Sequence, residues 1–253
     1  LPRLNLTKSK KNTKKIEIDI TIVKATLMML LTIISIYFFL QSPYFEITKI
    51  YVVGTEKMTI TQVLELAGLQ PGKNILRVEN KAVEKKLAAH PWVKKATVEK
   101  KLPSTINITI QERQATAIVP AVEGFYVIDE DGVVLTKVAN LAEVVLPVVT
   151  NASLPADLYY GETIDREDLR TALEVINSLP IEIKNRASEV SLGEAITVFF
   201  SGGLKIKIGT TERLEQKLTT LSEIFTNTDE QVLGRIKYID LRFNGPPVIR
   251  YDH

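Results

Sequence analysis

The chain has 253 residues, 25% of them charged and 45% apolar, the proportions of an ordinary folded protein with room for one large domain or two small ones. Its net charge of +2 divides unevenly: residues 1–24 hold seven basic groups against Glu17 and Asp19, residues 25–44 hold no charge, and the remainder sums to −3. A mildly acidic body argues against nucleic acid as a partner, and the absence of cysteine excludes disulfides and thiolate chemistry.

The uncharged stretch Ala25–Leu40, ATLMMLLTIISIYFFL, rises about 24 Å as a helix, a little short of a hydrocarbon core of about 30 Å. Extension through Gln41–Phe45, or back to Ile20 with Lys24 reaching the headgroups, supplies the difference. Tyr37 and Tyr44 fall near the far end, where amphipathic aromatics favour the interface. The run is followed by QSPYFEI with no small-residue cleavage pattern, so it reads as an anchor through the lipid bilayer rather than a cleaved leader. The basic residues Arg3, Lys8, Lys10, Lys11, Lys14, Lys15 and Lys24 flank its amino-terminal side. The positive-inside rule therefore puts the amino terminus in the cytoplasm and the bulk of the chain outside.

Beyond the apolar run, Phe45–Gly54 alternates as a strand ended by Gly54. Thr59 or Thr61 is positioned to cap a helix over Thr61–Ala67, which Gly68 closes. Residues 79–89 predict a short amphipathic helix with Val83, Leu87 and Ala88 on its stripe, stopped by His90-Pro91. Trp92–Lys100 and Thr105–Gln111 read as two strands joined by Leu102-Pro103-Ser104, with Ile106, Ile108 and Ile110 on one face. His90 has no second histidine nearer than His253 and no cysteine to work with, so it reads as a helix-terminus residue rather than a metal ligand or base. Trp92 is expected as an apolar plug between helix and sheet, and Lys94, Lys95, Lys100 and Lys101 as a solvated hairpin face.

A second unit starts near Ala117. Phe125–Leu135 has a hairpin pattern turned by Asp131-Gly132. The acidic run Asp129–Asp131 lacks a calcium-loop register. Leu146-Pro147 marks Val144–Val149 as an edge or an irregular connector. Residues 166–179 predict an amphipathic helix with Asp165 as cap and Leu169, Leu173 and Ile176 inward. Glu189–Phe200 and Gly203–Gly209 predict antiparallel strands around Ser201-Gly202-Gly203. Thr211–Phe225 predicts a helix with Leu214, Leu218 and Leu221 inward. Ile236–Phe243 predicts the final long strand, followed by the Asn244–Pro247 break and a short detached edge at Val248–Tyr251. No catalytic, cofactor or metal constellation stands out: there is no nucleophile elbow and no phosphate-binding glycine loop. Two carboxylates brought together from distant positions would escape this reading, which leaves a cell-envelope enzyme as an alternative.

SPYFEITKIYVVG, HPWVKKATVEKKLPSTINITIQER, the Leu146-Pro147 pair, IKIGT and IDLRF together resemble the bacterial cell-division family FtsQ, called DivIB in Gram-positive bacteria. The Pro91-Trp92-Val93 step, the Lys101-Leu102-Pro103 turn and Glu112-Arg113 are the most specific part; Thr55 stands where many members have asparagine. The resemblance implies an α+β chain: a cytoplasmic tail (1–24), a transmembrane helix (25–44), a POTRA domain of β-α-α-β-β order (45–113), a mixed, mainly antiparallel β domain with packed helices (117–243) and a tail (244–253). It also implies a non-enzymatic single-pass scaffold at the division septum. Its partners would be FtsB/DivIC-like and FtsL-like proteins, linked to septal peptidoglycan synthesis. By the same resemblance the partner docks at the last strands of the β domain, with Tyr238, Leu241 and Phe243 as candidate contacts, while Gly54, Pro91, Trp92 and Pro103 are structural. A POTRA-containing transport or assembly protein is the alternative.

Overall fold

The computed structural model describes residues 19–152 and 158–252. Helix α1 runs Ile20–Leu40, opened by the Asp19 carboxylate, which accepts from the Thr21 N–H at 2.9 Å. Its 21 residues rise about 31 Å. It is long and apolar enough to cross a membrane, and none of its side chains is buried. The apolar run is thus extended backward through Lys24, whereas Pro43–Phe45 turn away in a short 3-10 helix. The basic segment ahead of Asp19 lies outside the described residues.

The first domain follows in the expected order: β1 (Lys49–Val53), α2 (Ile60–Ala67), α3 (Asn80–Ala88), β2 (Val93–Lys101) and β3 (Thr105–Glu112). β3 is central, parallel to β1 and antiparallel to β2. β1 is shorter than its alternation suggests, because Ile47 is tied to a loop instead, donating to the Lys73 carbonyl at 2.8 Å and accepting from Gly72 at 3.0 Å. Helix α2 opens in a capping box, Thr59 and Gln62 each bonding the other's backbone N–H. Val83 and Leu87 of α3 are buried, but Ala88 is exposed because the helix ends there. Ile106, Ile108 and Ile110 meet Ile47, Val63 and Ile75 in one core, each such residue contributing about 1.5–3 kcal/mol. Gly54 is held at φ +85°, and a Cβ there would stand 2.0 Å from the Ile110 carbonyl oxygen. No other residue fits that position without moving β3.

The second domain is a nine-stranded sheet with helices. Its elements are β4 (Ala115–Pro120), β5 (Phe125–Asp129), β6 (Val134–Val138), β7 (Val148–Thr150), α4 (Glu167–Ser178), α5 (Ile181–Lys184), β8 (Ala187–Leu192), β9 (Ile196–Phe200), β10 (Lys205–Gly209), α6 (Leu214–Asn227), α7 (Glu230–Leu233), β11 (Ile236–Asp240) and β12 (Val248–Tyr251). The spatial order is β12-β11-β10-β9-β8-β7-β4-β5-β6. Only the β4–β7, β7–β8 and β10–β11 pairs are parallel, so the sheet is mixed and mainly antiparallel. Leu169, Leu173 and Ile176 of α4 and Leu214, Leu218 and Leu221 of α6 are buried against Val190, Val198, Ile206 and Ile239.

Four expectations are corrected. β7 is a central strand, not an edge: Pro147 precedes it and still offers its carbonyl, which accepts from Ile118 N–H at 2.9 Å. Asp165 does not cap α4; its carboxylate pairs with Arg170 instead. Glu189–Phe200 is two strands, because the chain reverses between Leu192 and Ile196. β11 stops at Asp240, and Val248–Tyr251 is not detached, since as β12 it pairs antiparallel with β11.

The domains meet at Arg113, whose guanidinium lies 2.6 Å from Asp129, a carboxylate only 1% exposed. Asp129 also accepts from the N–H groups of Asp131 and Val133. Lys94 reaches Glu130 and Asp131 at 2.5 and 3.0 Å, and the Glu130 hydrogen bond, with Asp131 behind it, raises its pKa.

Candidate partner-binding edge

The pairing of β11 is irregular between Ile236 and Tyr238, which breaks strict alternation and lets Ile236 and Ile239, of opposite parity, enter one core. Ile236, Ile239, Asp240 and Leu241 are consequently all buried. Backbone pairing on one side goes to β10 and on the other to β12. β11 therefore lies between two described strands rather than at the edge of the sheet. The free edge belongs to β12, whose Val248 and Tyr251 are exposed.

Several side chains fix this end of the sheet. Both oxygens of Asp240, at 6% exposure, are held by Arg242: Nε donates at 2.9 and 3.1 Å and Nη2 at 2.7 Å. That hydrogen-bonded fork outweighs burial and keeps the carboxyl below its usual pKa. Gly209, at φ +83°, lies against Arg242, and a Cβ there would approach its Cγ to 2.9 Å. From α6, the buried Lys217 ammonium donates to the Ile208 and Thr210 carbonyls, both at 2.9 Å. Burial first, then the Arg213 charge, lowers its pKa. Arg213 bonds Asn244. A cavity of about 140 Å³ lies between Lys217, Thr220, Leu241, Phe243 and Pro247. After β12, Asp252 donates its N–H to Arg235 and pairs with Lys237.

The three candidate contacts separate. Phe243 is 64% exposed beneath the Arg242 guanidinium. Tyr238 is half-buried on the open sheet face, with Lys207 Nζ 4.6 Å from its ring centroid. Leu241 is 5% exposed and belongs to the core, so its side chain is not offered to a partner. Phe243 lies in the connection between β11 and β12, and it lines the same small cavity as Leu241.

The structural residues stand as follows. Gly54 abuts β3, and Leu102-Pro103 forms the turn between β2 and β3. Pro91 and Trp92 are both half-buried; Trp92 packs on the first core and its carbonyl accepts from Arg113 N–H at 2.8 Å. His90 sits at the end of α3 with its Nδ1 buried and unbonded. Sequence reasoning missed Glu112, which is 9% exposed. Its carboxylate accepts from the N–H groups of Glu56, Lys57 and Met58 at 2.8–3.0 Å. The signal was present: Glu112 continues the buried parity of Ile106, Ile108 and Ile110. Among the described residues no group of three His, Cys, Asp or Glu side chains could hold a metal.

Comparison with known proteins bears on both domains. Residues 45–113 match the model for the POTRA domain, FtsQ-type, and residues 117–242 that for cell division protein FtsQ/DivIB, C-terminal. The chain is 25% identical to cell division protein DivIB of Clostridium botulinum (strain Loch Maree / Type A3) over 97% of its length and 94% of the relative's. It is 26% identical to the DivIB of Clostridium acetobutylicum, covering 83% of this chain and 84% of that one. With cell division protein FtsQ of Geobacter sp. (strain M21) the identity is 27%, over 77% of this chain and 72% of the relative. The β-α-α-β-β order of the first domain and the mixed sheet of the second agree with these matches. The chain belongs to the FtsQ/DivIB family of bacterial cell-division proteins, non-enzymatic scaffolds of the divisome.

Proposed function

We propose that the chain is a single-span scaffold at the division septum, with α1 in the bilayer, its amino terminus in the cytoplasm and both folded domains outside. Its β12 edge receives a strand from an FtsB/DivIC-like partner, itself joined to an FtsL-like protein. The observation that carries this reading is the difference between neighbouring strands: β11 is paired on both sides, whereas β12 ends the sheet with exposed side chains, and the connection leading into it carries the exposed Phe243. An unpaired edge is a ready template for strand addition, in which main-chain hydrogen bonds supply affinity and flanking side chains supply selection.

In-cell cross-linking followed by pull-down of the full chain tests it. Phe243→Ala combined with Val248→Asp is expected to remove the FtsB/DivIC-like protein from the recovered complex while the melting temperature stays near the parent's. Undiminished recovery of that partner with the double variant would move the site away from β12. Orientation is tested by a single cysteine at Ser188 and an impermeant thiol reagent. Labelling is expected in intact spheroplasts, and labelling only after lysis would reverse the topology.

A further inference from the structure

The end of the first domain nearest α1 is built from three segments laced together by backbone hydrogen bonds. Ile47 N–H donates to the Lys73 carbonyl at 2.8 Å, Gly72 N–H to the Ile47 carbonyl at 3.0 Å, and Thr48 N–H to the Ser104 carbonyl at 2.9 Å. Residues 41–49, 70–77 and 100–104 therefore share one base. They hold five cations, Lys49, Lys73, Arg77, Lys100 and Lys101, and a single carboxylate, Glu46. The chain beyond residue 44 is otherwise acidic, so this concentration of charge is local. No carboxylate among the described residues lies within ion-pairing distance of any of the five.

The base is fixed to the end of α1. Asn74 Nδ2 donates to the Leu40 carbonyl at 2.7 Å and Arg77 Nη2 to Gln41 Oε1 at 2.9 Å. Phe39, Tyr44 and Phe45 form an aromatic cluster with centroids 5.1–6.2 Å apart. A cavity of about 400 Å³ opens between Gln41, Glu46, Lys73, Asn74 and Arg77. Leu102, at the tip of the β2–β3 turn, is 60% exposed. With α1 spanning a bilayer, a helix of this length reaches the edge of the hydrocarbon near Leu40, which would put the base fixed to it at headgroup depth. Aromatic rings and long basic side chains are the groups that favour this layer.

We propose that this base docks onto the anionic phospholipid headgroups of the leaflet from which α1 emerges, with Lys73 and Arg77 flanking the cavity and Lys49, Lys100 and Lys101 extending the contact. The docking rests on the reading of α1 as a membrane span, and it commits to phosphate carried by lipid rather than phosphate in solution. It gives the lysines of the β2–β3 hairpin tip a role that a merely solvated face does not. It also orients the first domain, and through Arg113 and Asp129 the second, relative to the membrane plane.

Because the chain has no cysteine, Leu102→Cys provides one labelling site for an environment-sensitive fluorophore. The labelled full chain is placed in nanodiscs of zwitterionic lipid alone or with phosphatidylglycerol, some lipids carrying bromine near the headgroup as quencher. The docked fraction is expected to rise with anionic lipid and fall with added salt. Each of Lys73→Gln, Arg77→Gln and Lys101→Gln is expected to weaken docking roughly fivefold, and the charge-keeping set Lys73→Arg, Arg77→Lys and Lys101→Arg to retain it. Quenching indifferent to lipid charge, or unchanged in the neutralised triple variant, overturns the proposal. Release by inorganic phosphate beyond that by chloride at equal ionic strength overturns it too, in favour of a soluble anion. Co-flotation of the unlabelled chain with vesicles separates the two readings. A chain that does not float loses the span and the docking together; one that floats but ignores lipid charge loses the docking alone.

Discussion

The nine-stranded sheet finishes its two edges in opposite ways. At one end β6 is closed over: Val134 N–H donates to the Glu162 carbonyl at 2.9 Å, Gly161 N–H donates to the Val134 carbonyl at 2.8 Å, and Val133 bridges to Thr163. At the other end no strand among the described residues pairs with the outer side of β12. Each end also buries one aspartate, but the partners differ. Asp129 is held by Arg113 across the domain junction, whereas Asp240 is held by Arg242 two residues along the same chain. A sealed edge with a long-range tie belongs to architecture. An open edge with only a local tie keeps its backbone groups for something else.

The largest test of this contrast is Asp129→Ala. The change leaves the Arg113 guanidinium short of its buried partner and removes the acceptor of two N–H groups, a loss of about 3–5 kcal/mol. Urea unfolding of the full chain in detergent is expected to show a correspondingly lower midpoint, and amide exchange to quicken on both sides of the junction. A small shift confined to the second domain would mean that the sealed end does not depend on the joint.

Leu241→Ala comes next. Truncating a buried leucine costs about 2–5 kcal/mol, whereas Phe243→Ala, two residues away and exposed, is expected to stay within about 0.5 kcal/mol. The pair read by thermal melting separates core from surface at the open end. Equal losses would place Phe243 in the packing and remove the distinction drawn between them.

How much of this was legible differs between the two domains for a physical reason. In the first domain the local signals agree: the Thr59 cap, Gly68, Pro91 and the period of Ile106–Ile110 each mark an element where it stands, although the parallel β1–β3 pair joins residues as distant as Lys49 and Thr105. In the second domain the local marks do not name the pairing partners. Nothing local tells that β7 lies between β4 and β8, because Pro147 reads as a breaker until the partner of its carbonyl is known. Likewise Val248–Tyr251 is too short to announce pairing with β11, and the apolar residues on both faces of β11 look like an exposed strand until its irregular register is seen. The candidate contacts carry that ambiguity, since the sequence pattern alone does not separate the buried Leu241 from the exposed Phe243.

Glu112 offers a pH-dependent measurement at the junction, one residue before Arg113. Burial pushes its carboxyl up, but the N–H groups of Lys57, Met58 and Glu56 outweigh it and hold the pKa below the usual carboxylate range. A depressed folded-state pKa stabilises the fold fully above the unfolded value and loses that contribution as pH falls through the folded value. Acidification below the ordinary carboxylate range is therefore expected to weaken the first domain. Glu112→Gln is expected to cost about 1–3 kcal/mol near neutrality and to flatten the acid limb. A variant whose stability falls with acid as steeply as the parent's would assign that limb to other carboxylates.

The smallest expected stability effect is the most informative about the open edge. Tyr238 and Phe243 are both accessible, but they serve different modes of binding. Tyr238 stands on the open face of the sheet, one strand in from the edge, under the Lys207 ammonium. Its removal forfeits a contact of about 0.5–1 kcal/mol and touches no free ladder group. Phe243 lies outside the sheet in the connection leading into β12, the edge an added strand would extend. If a partner pairs along the edge, Phe243→Ala weakens its capture far more than Tyr238→Ala, although Tyr238→Ala costs the fold slightly more. If the partner instead lies across the face, the order reverses. Affinity of the purified partner's extracytoplasmic segment for the two variants, set against their melting temperatures, reads both orders in one experiment. Opposite ranking of stability and binding is the outcome that edge pairing requires, and parallel ranking excludes it.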